Sequence, residues 1–268
     1  MNIVVCVKYV PDSTADRRFE GDSTVDRVGV DGLLSELDEY AVEQSLQIRE
    51  SAGGESTVTV LTIGPAQASD AIRKSLQMGA DRGVHVLDDA IAGSCALSTS
   101  LVLAEAVRKV GAGSGWDLVV CGRASTDGSM GVLPAMLAER LGVPGVTLGS
   151  AITVSEGDGG TVTIRRDGDS ATETVEGTLP LVASVTDQSG EARYPSFKGI
   201  MAAKKKPLET WSLADLGVDA ELVGLAAASS VVVATSARPP RTAGQVVTDE
   251  DGSGAAALVE FLAAKKFI

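Results

Sequence analysis

Aromatic residues are scarce in this chain: Phe, Trp and Tyr make up 3% of its 268 residues, although 44% are hydrophobic. The core must therefore consist mainly of Val, Leu, Ile and Ala, which is typical of a parallel β-sheet covered by helices on both faces. Long apolar runs are also missing, and none approaches the length of a membrane-spanning helix. The start, Met1 to Val7, lacks the charged leader of a signal peptide. We therefore expect a soluble, cytoplasmic protein.

Cysteine and histidine are too few to support most kinds of catalysis. Cys6, Cys95 and Cys121 are widely spaced and odd in number, which predicts reduced thiols and no metal site. His85 is the single histidine and lies inside a predicted strand, where a structural role fits better than a catalytic one. No Ser-His-Asp or Cys-His set can be completed. We expect a binding or carrier subunit with no catalytic residues of its own.

Basic residues are outnumbered by acidic ones. The 23 Lys and Arg residues face 36 Asp and Glu residues, which gives a formal net charge of -13. Nucleic acids and anionic membranes attract proteins through a basic face. The charge balance therefore excludes both as main partners.

The first half of the chain alternates short apolar runs with helical patterns. Such alternation predicts right-handed crossovers and a parallel sheet. The predicted strands are Ile3–Val7, Val58–Ile63, Val84–Leu87 and Leu118–Cys121, and the predicted helices are Ser35–Glu50, Ala68–Leu76, Ser98–Val110 and Val132–Leu141.

Short alternating segments follow, with hairpin signals at Asp158-Gly159 and Asp167-Gly168. The segments are Ala151–Val154, Thr161–Arg165, Thr172–Val175 and Leu181–Thr186. Residues 217–250 are irregular, and Ala255–Lys266 predicts a last helix. The predicted fold class is α/β: a mostly parallel, doubly wound (Rossmann-like) sheet with an antiparallel extension and a C-terminal arm that ends in a helix. We expect an α/β nucleotide-binding domain over 1–190, a recognition loop and helix over 191–206, and the arm over 207–268.

A glycine-rich turn, Gly122–Gly131, stands between a predicted strand and a predicted helix. Its backbone N–H groups, at a helix N-terminus, favour a bound anion, so the turn is a candidate phosphate site. It matches neither the P-loop nor the dinucleotide fingerprint, and an ordinary connecting turn explains it equally well. Together with Cys6–Lys8 and Ile63–Pro65, which end other parallel strands, it would form a pocket for an adenine nucleotide.

Four carboxylates are candidates for the rim of this pocket, although solvated loop charges explain most of them. They are Asp12, Asp16, Asp38 and Asp127.

The segment Glu191–Met201 concentrates aromatic and aliphatic residues in a chain that has few aromatics. An exposed loop with such anchors is typical of an interaction hot spot. The alternative is that Phe197 and Met201 pack into their own domain. Lys204–Lys206 predicts a solvated helix end that would also attract an acidic partner.

Several longer motifs resemble the beta subunit of electron transfer flavoprotein, and the likeness covers nearly the whole chain. The motifs are Val5–Lys8, Glu39–Glu43, Gly64–Gln67, Met78–Val86, Arg193–Lys206 and Pro240–Gly244.

The resemblance implies a heterodimer with an alpha subunit, a redox FAD that is held mainly by the alpha subunit, and a structural AMP in the beta subunit. It implies that electrons come from acyl-CoA dehydrogenases and similar flavin dehydrogenases, as in fatty acid oxidation, and leave for a membrane quinone oxidoreductase. The AMP shell it implies is Cys6, Ser35, Glu36, Leu37, Asp38, Ile63, Gly122, Arg123, Ala124, Ser125, Thr126, Asp127, Gly128, Ser129 and Met130. The partner-binding residues it implies are Arg193, Tyr194, Phe197, Ile200 and Met201, and Phe197 takes the place of a leucine anchor.

Two departures from the family pattern leave the nucleotide open. The turn after Gly122 is shorter than usual, and Ser35-Glu36 replaces an Asn-Pro pair. A bifurcating branch of the family holds a second FAD in this pocket. A stand-alone nucleotide-binding stress or signalling domain is a third interpretation, which would leave the C-terminal arm unexplained.

Overall fold

A seven-stranded parallel β-sheet carries the fold, in a computed structural model that describes residues 1–14, 17–52, 56–155, 160–236, 239, 244, 246–249 and 251–268. The strands are β1 Asn2–Cys6, β2 Tyr9–Pro11, β3 Gly32–Leu34, β4 Thr57–Ile63, β5 Arg82–Val86, β6 Leu118–Gly122, β7 Gly145–Gly149, β8 Ala151–Ser155, β9 Thr161–Asp167, β10 Thr172–Thr178, β11 Leu181–Val185 and β12 Leu208–Trp211. The α-helices are α1 Glu36–Ser51, α2 Ser69–Met78, α3 Ala96–Val110, α4 Leu133–Leu141, α5 Phe197–Ala203, α6 Leu213–Leu216 and α7 Gly254–Ala264.

Within the described residues the strand order of the main sheet is β12-β5-β4-β1-β6-β11-β7. The central strand β1 runs parallel to β4 on one side and to β6 on the other, so that Val4 lies between Thr59 and Val119. Apolar side chains from both faces are buried: one face packs with α1 and α2 and the other with α3 and α4. The predicted class, a doubly wound parallel sheet, is confirmed.

The antiparallel part differs from its prediction in one strand. The segments β8, β9 and β10 form a separate three-stranded antiparallel sheet, as their alternating patterns predict. The fourth segment, β11, runs parallel inside the main sheet between β6 and β7, so its assignment to the antiparallel extension was wrong. All five of its residues are buried, which is the pattern of a strand covered on both faces. The Asp167-Gly168 turn joins β9 to β10, and Asp158-Gly159 lies outside the described residues.

The first part of the irregular region packs on the α/β unit. Val218 and Val223 are buried in the core. The N–H of Gly224 donates to Ser94 Oγ at 2.7 Å, and the N–H of Ser229 donates to Cys95 Sγ at 3.4 Å. Residues up to about 229 therefore belong structurally to the sheet domain.

The described residues divide into two units, Met1–Val233 and Ala234–Ile268. The second unit contains α7, which confirms the predicted last helix, two residues shorter at its C-terminal end. Of the Pro240–Gly244 motif, only Gly244 is described. No helix among the described residues is long and apolar enough to cross a membrane.

Candidate functional site

The candidate site lies where the chain reverses its direction across the sheet. From β1 the chain adds β4 and β5 on one side, and it then returns to place β6 on the other side of β1. In open α/β sheets, ligands bind beyond the carboxyl ends of the strands at such a switch point. The glycine-rich turn follows β6, and Lys8 follows β1, so both lie at this position. Cys6 pairs with Cys121 in register, which brings the end of β1 to the start of the turn.

The N-terminus of α1 lies against the same strand ends. The N–H of Ser35 donates to the carbonyl of Lys8 at 2.9 Å, which ties the helix start to β1. The Ser35 side chain is fully buried, and its hydroxyl has no hydrogen-bond partner among the described residues. A Cβ on Gly122 would overlap Asp38 and the carbonyl of Leu37, so only glycine allows this close approach.

Of the other predicted shell residues, Glu36 and Arg123 are exposed, and Leu37 is half-buried. Ile63 ends β4 and is also half-buried. These side chains lie around the strand ends, on the elements that the resemblance implies.

Asp38 is buried beneath the turn. One of its oxygens, Oδ2, accepts the N–H of Lys8 at 2.9 Å. Burial raises the pKa of this carboxyl to about 7, and the hydrogen bond from the Lys8 backbone and the nearby Lys8 charge only partly oppose the shift. Asp38 is therefore close to half-protonated at neutral pH.

Replacing Asp38 with Asn is expected to flatten the pH dependence of stability. The folded pKa of about 7 exceeds the ordinary value of 3.8, so the folded protein binds a proton that the unfolded chain has released in this range. The native protein should thus lose about 2 kcal/mol of unfolding free energy, relative to the variant, between pH 5.5 and pH 8. Urea unfolding at both pH values measures this difference.

Glu36→Gln, a change on the exposed side of the same helix turn, is the control and should follow the native curve. Parallel pH curves for the native protein and Asp38→Asn would contradict the assignment.

The glycine-rich turn presents a row of backbone donors. The N–H of Ser129 donates to the carbonyl of Ser125 at 2.9 Å, and Ser129 and Gly131 adopt left-handed conformations with φ of 50° and 66°. The turn leads into α4, whose first turn contains Pro134. The N–H groups of residues 130–133 donate no hydrogen bond within the described part of the chain. Free N–H groups beside a helix N-terminus are candidate donors to a bound anion.

An ion cluster that the sequence did not reveal holds the turn in place. The ammonium of Lys8 lies 2.9 Å from Asp127 Oδ1, and the guanidinium of Arg27 contacts Asp127 Oδ2. The Asp127 side chain is only 1% exposed. Burial by itself would raise its pKa, but the charges of Lys8 and Arg27 outweigh burial and lower the pKa well below its usual range. Asp127 therefore stays ionised.

Asp12 does not join this cluster. Asp12 accepts the N–H of Thr14 at 2.8 Å in an exposed turn, and Asp16 lies outside the described residues. The prediction that most of these carboxylates are solvated loop charges therefore fits Asp12 but not Asp38 or Asp127.

His85 has the structural position that the sequence predicts. It is buried in β5, and its Nε2 lies 3.0 Å from the carbonyl of Gly64. Groups of three or more metal-ligating side chains are not found among the residues that the structure describes.

The second predicted feature, around α5, is an apolar surface on a rigid base. Tyr194 is 92% exposed and Phe197 is 81% exposed, and Ile200 and Met201 are also exposed. Ser196 caps α5 by accepting the N–H of Gly199 at 3.0 Å. A side chain at Gly199 would overlap the carbonyl of Gln77, so α5 packs closely on α2. Phe197 therefore points to solvent, and its alternative position inside the domain is not observed.

Arg193 and Lys206 fix the two ends of this segment. Arg193 forms ion pairs with Glu43 at 2.7 Å and Glu50 at 2.6 Å, both on α1. The Lys206 ammonium donates to the carbonyls of Leu76, Gly79 and Ala80 at the end of α2, at 3.1, 3.1 and 2.5 Å. Lys206 is thus a helix cap, so only Lys204 and Lys205 remain as the solvated part of the predicted lysine cluster.

The sheet, the switch-point turn and the apolar surface together define a doubly wound α/β protein with a candidate anion site. A model of the electron transfer flavoprotein domain matches residues 22–216. The chain is 47% identical over 271 residues to the electron transfer flavoprotein subunit beta of Mycobacterium tuberculosis, an alignment that covers 100% of this chain and 99% of the relative. It is 34% identical over 269 residues to the protein of that name from Thermoanaerobacterium thermosaccharolyticum, with 100% of both chains covered.

A third relative is Protein FixA of Sinorhizobium fredii, which is 33% identical over 243 residues, covering 90% of this chain and 85% of the relative. The chain belongs to the electron transfer flavoprotein subunit beta family. The resemblance seen in its sequence motifs is confirmed.

Proposed function

We propose that this chain is the beta subunit of a heterodimeric electron transfer flavoprotein and acts as a carrier subunit rather than an enzyme. The observation that carries the proposal is the row of open N–H groups at residues 130–133, placed at the switch point of the sheet. Family membership provides the electron-transfer role. In this proposal the FAD is held mainly by the alpha subunit, and it supplies the redox chemistry when bound.

The pocket of this chain holds a structural AMP in the proposal. Three features fit a nucleotide. The free N–H groups of residues 130–133 suit a phosphate. The Ser35 hydroxyl lacks a hydrogen-bond partner among the described residues. Lys8 and Arg27 both pair with Asp127 of the turn, so positive charge exceeds negative charge in this cluster. The proposed shell is Cys6, Ser35 to Asp38, Ile63 and Gly122 to Met130.

Docking of dehydrogenases is assigned to the surface formed by Tyr194, Phe197, Ile200 and Met201, with Arg193 holding its base. Electron transfer between proteins needs brief contacts of modest area, and a small apolar surface on a rigid helix suits such contacts. Acyl-CoA dehydrogenases and related flavin dehydrogenases are the proposed donors, and a membrane quinone oxidoreductase is the proposed acceptor.

The proposed domain roles follow the same division as in the sequence. Residues 1–190 bind the nucleotide, 191–206 recognise dehydrogenases, and 207–268 hold the alpha subunit. Because residues up to about 229 pack on the sheet domain, the proposed contact with the alpha subunit depends mainly on residues 234–268.

Counting released nucleotides tests the proposal. The complex purified with its alpha subunit is denatured, and the released nucleotides are identified by chromatography and mass spectrometry. We expect one FAD and one AMP per heterodimer. Two FAD molecules and no AMP would instead show a bifurcating electron transfer flavoprotein. A nucleotide-bound chain that purifies without any alpha subunit would show a stand-alone nucleotide-binding domain.

A further inference from the structure

The side chains of Lys8 and Arg27 are held by the same buried carboxylate and remain partly exposed to solvent. Both contact Asp127, whose side chain is covered, whereas the side chains of Lys8 and Arg27 are 39% and 28% exposed. The buried carboxylate therefore holds two cations side by side and leaves part of each facing solvent. Two cations and one ionised carboxylate leave one net positive charge, in a chain whose overall formal charge is -13.

Both cations have unused hydrogen-bond donors. An ammonium has three N–H donors and a guanidinium has five. The Lys8 ammonium donates hydrogen bonds to Asp127 Oδ1 and, at 3.4 Å, to Ser125 Oγ. The Arg27 guanidinium donates hydrogen bonds to Asp127 Oδ2 and, at 3.3 Å, to the carbonyl of Val25. A second anion can thus bind to both side chains without displacing Asp127.

Both cations lie against the glycine-rich turn that leads to the N–H groups of residues 130–133. A Cβ built on Gly128 would lie 4.0 Å from Lys8 Nζ, so the ammonium reaches the turn that leads to residues 130–133. The segment that carries Arg27 also lies over the turn, because the guanidinium of Arg17 donates to the carbonyl of Thr126 at 2.8 Å. Two cations therefore lie on the same turn that carries the backbone donors a few residues further along the chain.

We propose that Lys8 and Arg27 form a phosphate clamp, in which both side chains bind the phosphate monoester of the nucleotide while Asp127 positions them from beneath. The inference rests on the proposed nucleotide site and names the residues of this chain that recognise its phosphate. A planar guanidinium and an ammonium beside backbone N–H groups are the donors that a dianionic phosphate prefers. Uncharged nucleosides lack the group that the clamp recognises.

The test compares AMP with adenosine on the full-length chain after its nucleotide has been removed, by calorimetry. Lys8→Met and Arg27→Met should each weaken AMP binding about tenfold or more, because each removes a charge-assisted hydrogen bond. Adenosine affinity should change by less than about twofold, because adenosine has no phosphate. Lys205→Met removes the same charge from an exposed site and serves as the control, with unchanged AMP binding.

Lys8→Met leaves the buried Asp127 carboxylate with one cation and lowers the stability of the fold. The double variant Lys8→Met with Asp127→Asn removes both charges, so that no buried carboxylate loses its lysine partner. It should fold and still bind AMP weakly. Circular dichroism confirms the fold before each titration.

Inorganic phosphate separates the clamp from the nucleotide site. Phosphate should raise the melting temperature of the native chain more than chloride at equal ionic strength, and Lys8→Met should lose this shift. Phosphate binding that depends on Lys8, without AMP binding, would support the clamp and contradict the proposed AMP site. AMP binding that is unchanged in both Met variants, or AMP and adenosine weakened equally, would overturn the clamp.

Discussion

Removing residues 234–268 is expected to abolish co-purification with the alpha subunit while the α/β unit stays folded. The removed unit contains α7, where Leu258, Val259 and Phe261 are all exposed, and ends in the exposed Phe267 and Ile268. Because these three side chains are about half exposed, burying the rest of them against a partner would contribute about 2–4 kcal/mol to binding. Loss of that amount corresponds to a complex weaker by roughly thirtyfold to a thousandfold.

The truncated chain should fold because its cut lies beyond the residues that pack on the sheet. Val218, Val223 and Gly224 keep their contacts when the chain ends at Val233. Co-expression with a tagged alpha subunit, followed by native mass spectrometry, measures complex formation, and the melting temperature of the truncated chain checks its fold.

Substitutions on α7 refine this experiment. Leu258→Ser with Phe261→Ser should weaken the complex, whereas Glu260→Gln on the same helix should not. A stoichiometric complex with the truncated chain would show that the alpha subunit binds elsewhere.

The parallel core was predictable because its strands are continuous apolar runs. Residues Ile3–Val5 and Leu118–Val120 are buried on both faces, and such runs leave no period-2 pattern to confuse with an antiparallel strand. The strand β11 has the same composition but follows three alternating segments in the chain. Its place between β6 and β7 depends on contacts with residues that are distant in the sequence. A local sequence pattern cannot predict such contacts.

Two further strands of the main sheet escaped prediction for local reasons. The strand β7, Gly145–Gly149, has a glycine at each end and only two buried residues. The strand β12, Leu208–Trp211, pairs with β5 at the edge of the sheet and has no buried residue. Both obtain their structure from neighbouring strands rather than from their own sequence.

The position of the candidate site was predictable, but its charges were not. The turn after β6 has a recognisable composition, and the carboxyl edge of the sheet follows from the strand order. The contact between Arg27 and Asp127 joins residues 100 positions apart, and Arg27 stands in a loop without periodicity. Lys8 lies two residues beyond β1, and this position placed it in the predicted pocket stretch Cys6–Lys8 without revealing its contact with Asp127. Burial of Asp38 likewise depends on the packing of α1 against β6.

Phe197→Ala is expected to slow reduction of the complex by an acyl-CoA dehydrogenase by about tenfold or more. Phe197 is the most exposed large apolar side chain of α5, and truncating such an anchor at a protein contact commonly costs about 2 kcal/mol. The effect should appear in the second-order rate constant at low concentration of the complex, because docking rather than electron transfer within the docked pair is weakened. Stopped-flow flavin absorbance measures this rate.

The contacts that hold α5 and the preceding loop in place should be unaffected by this substitution. Ser196 still caps α5, and Arg193 keeps its pairs with Glu43 and Glu50, because neither involves the Phe197 ring. FAD content and heterodimer formation should therefore equal those of the native complex. Leu97→Ala, which truncates an exposed apolar side chain of α3, is the matched control and should react at the native rate. An unchanged rate for Phe197→Ala would place dehydrogenase docking on a different surface, because the most exposed large apolar side chain of α5 would then contribute nothing.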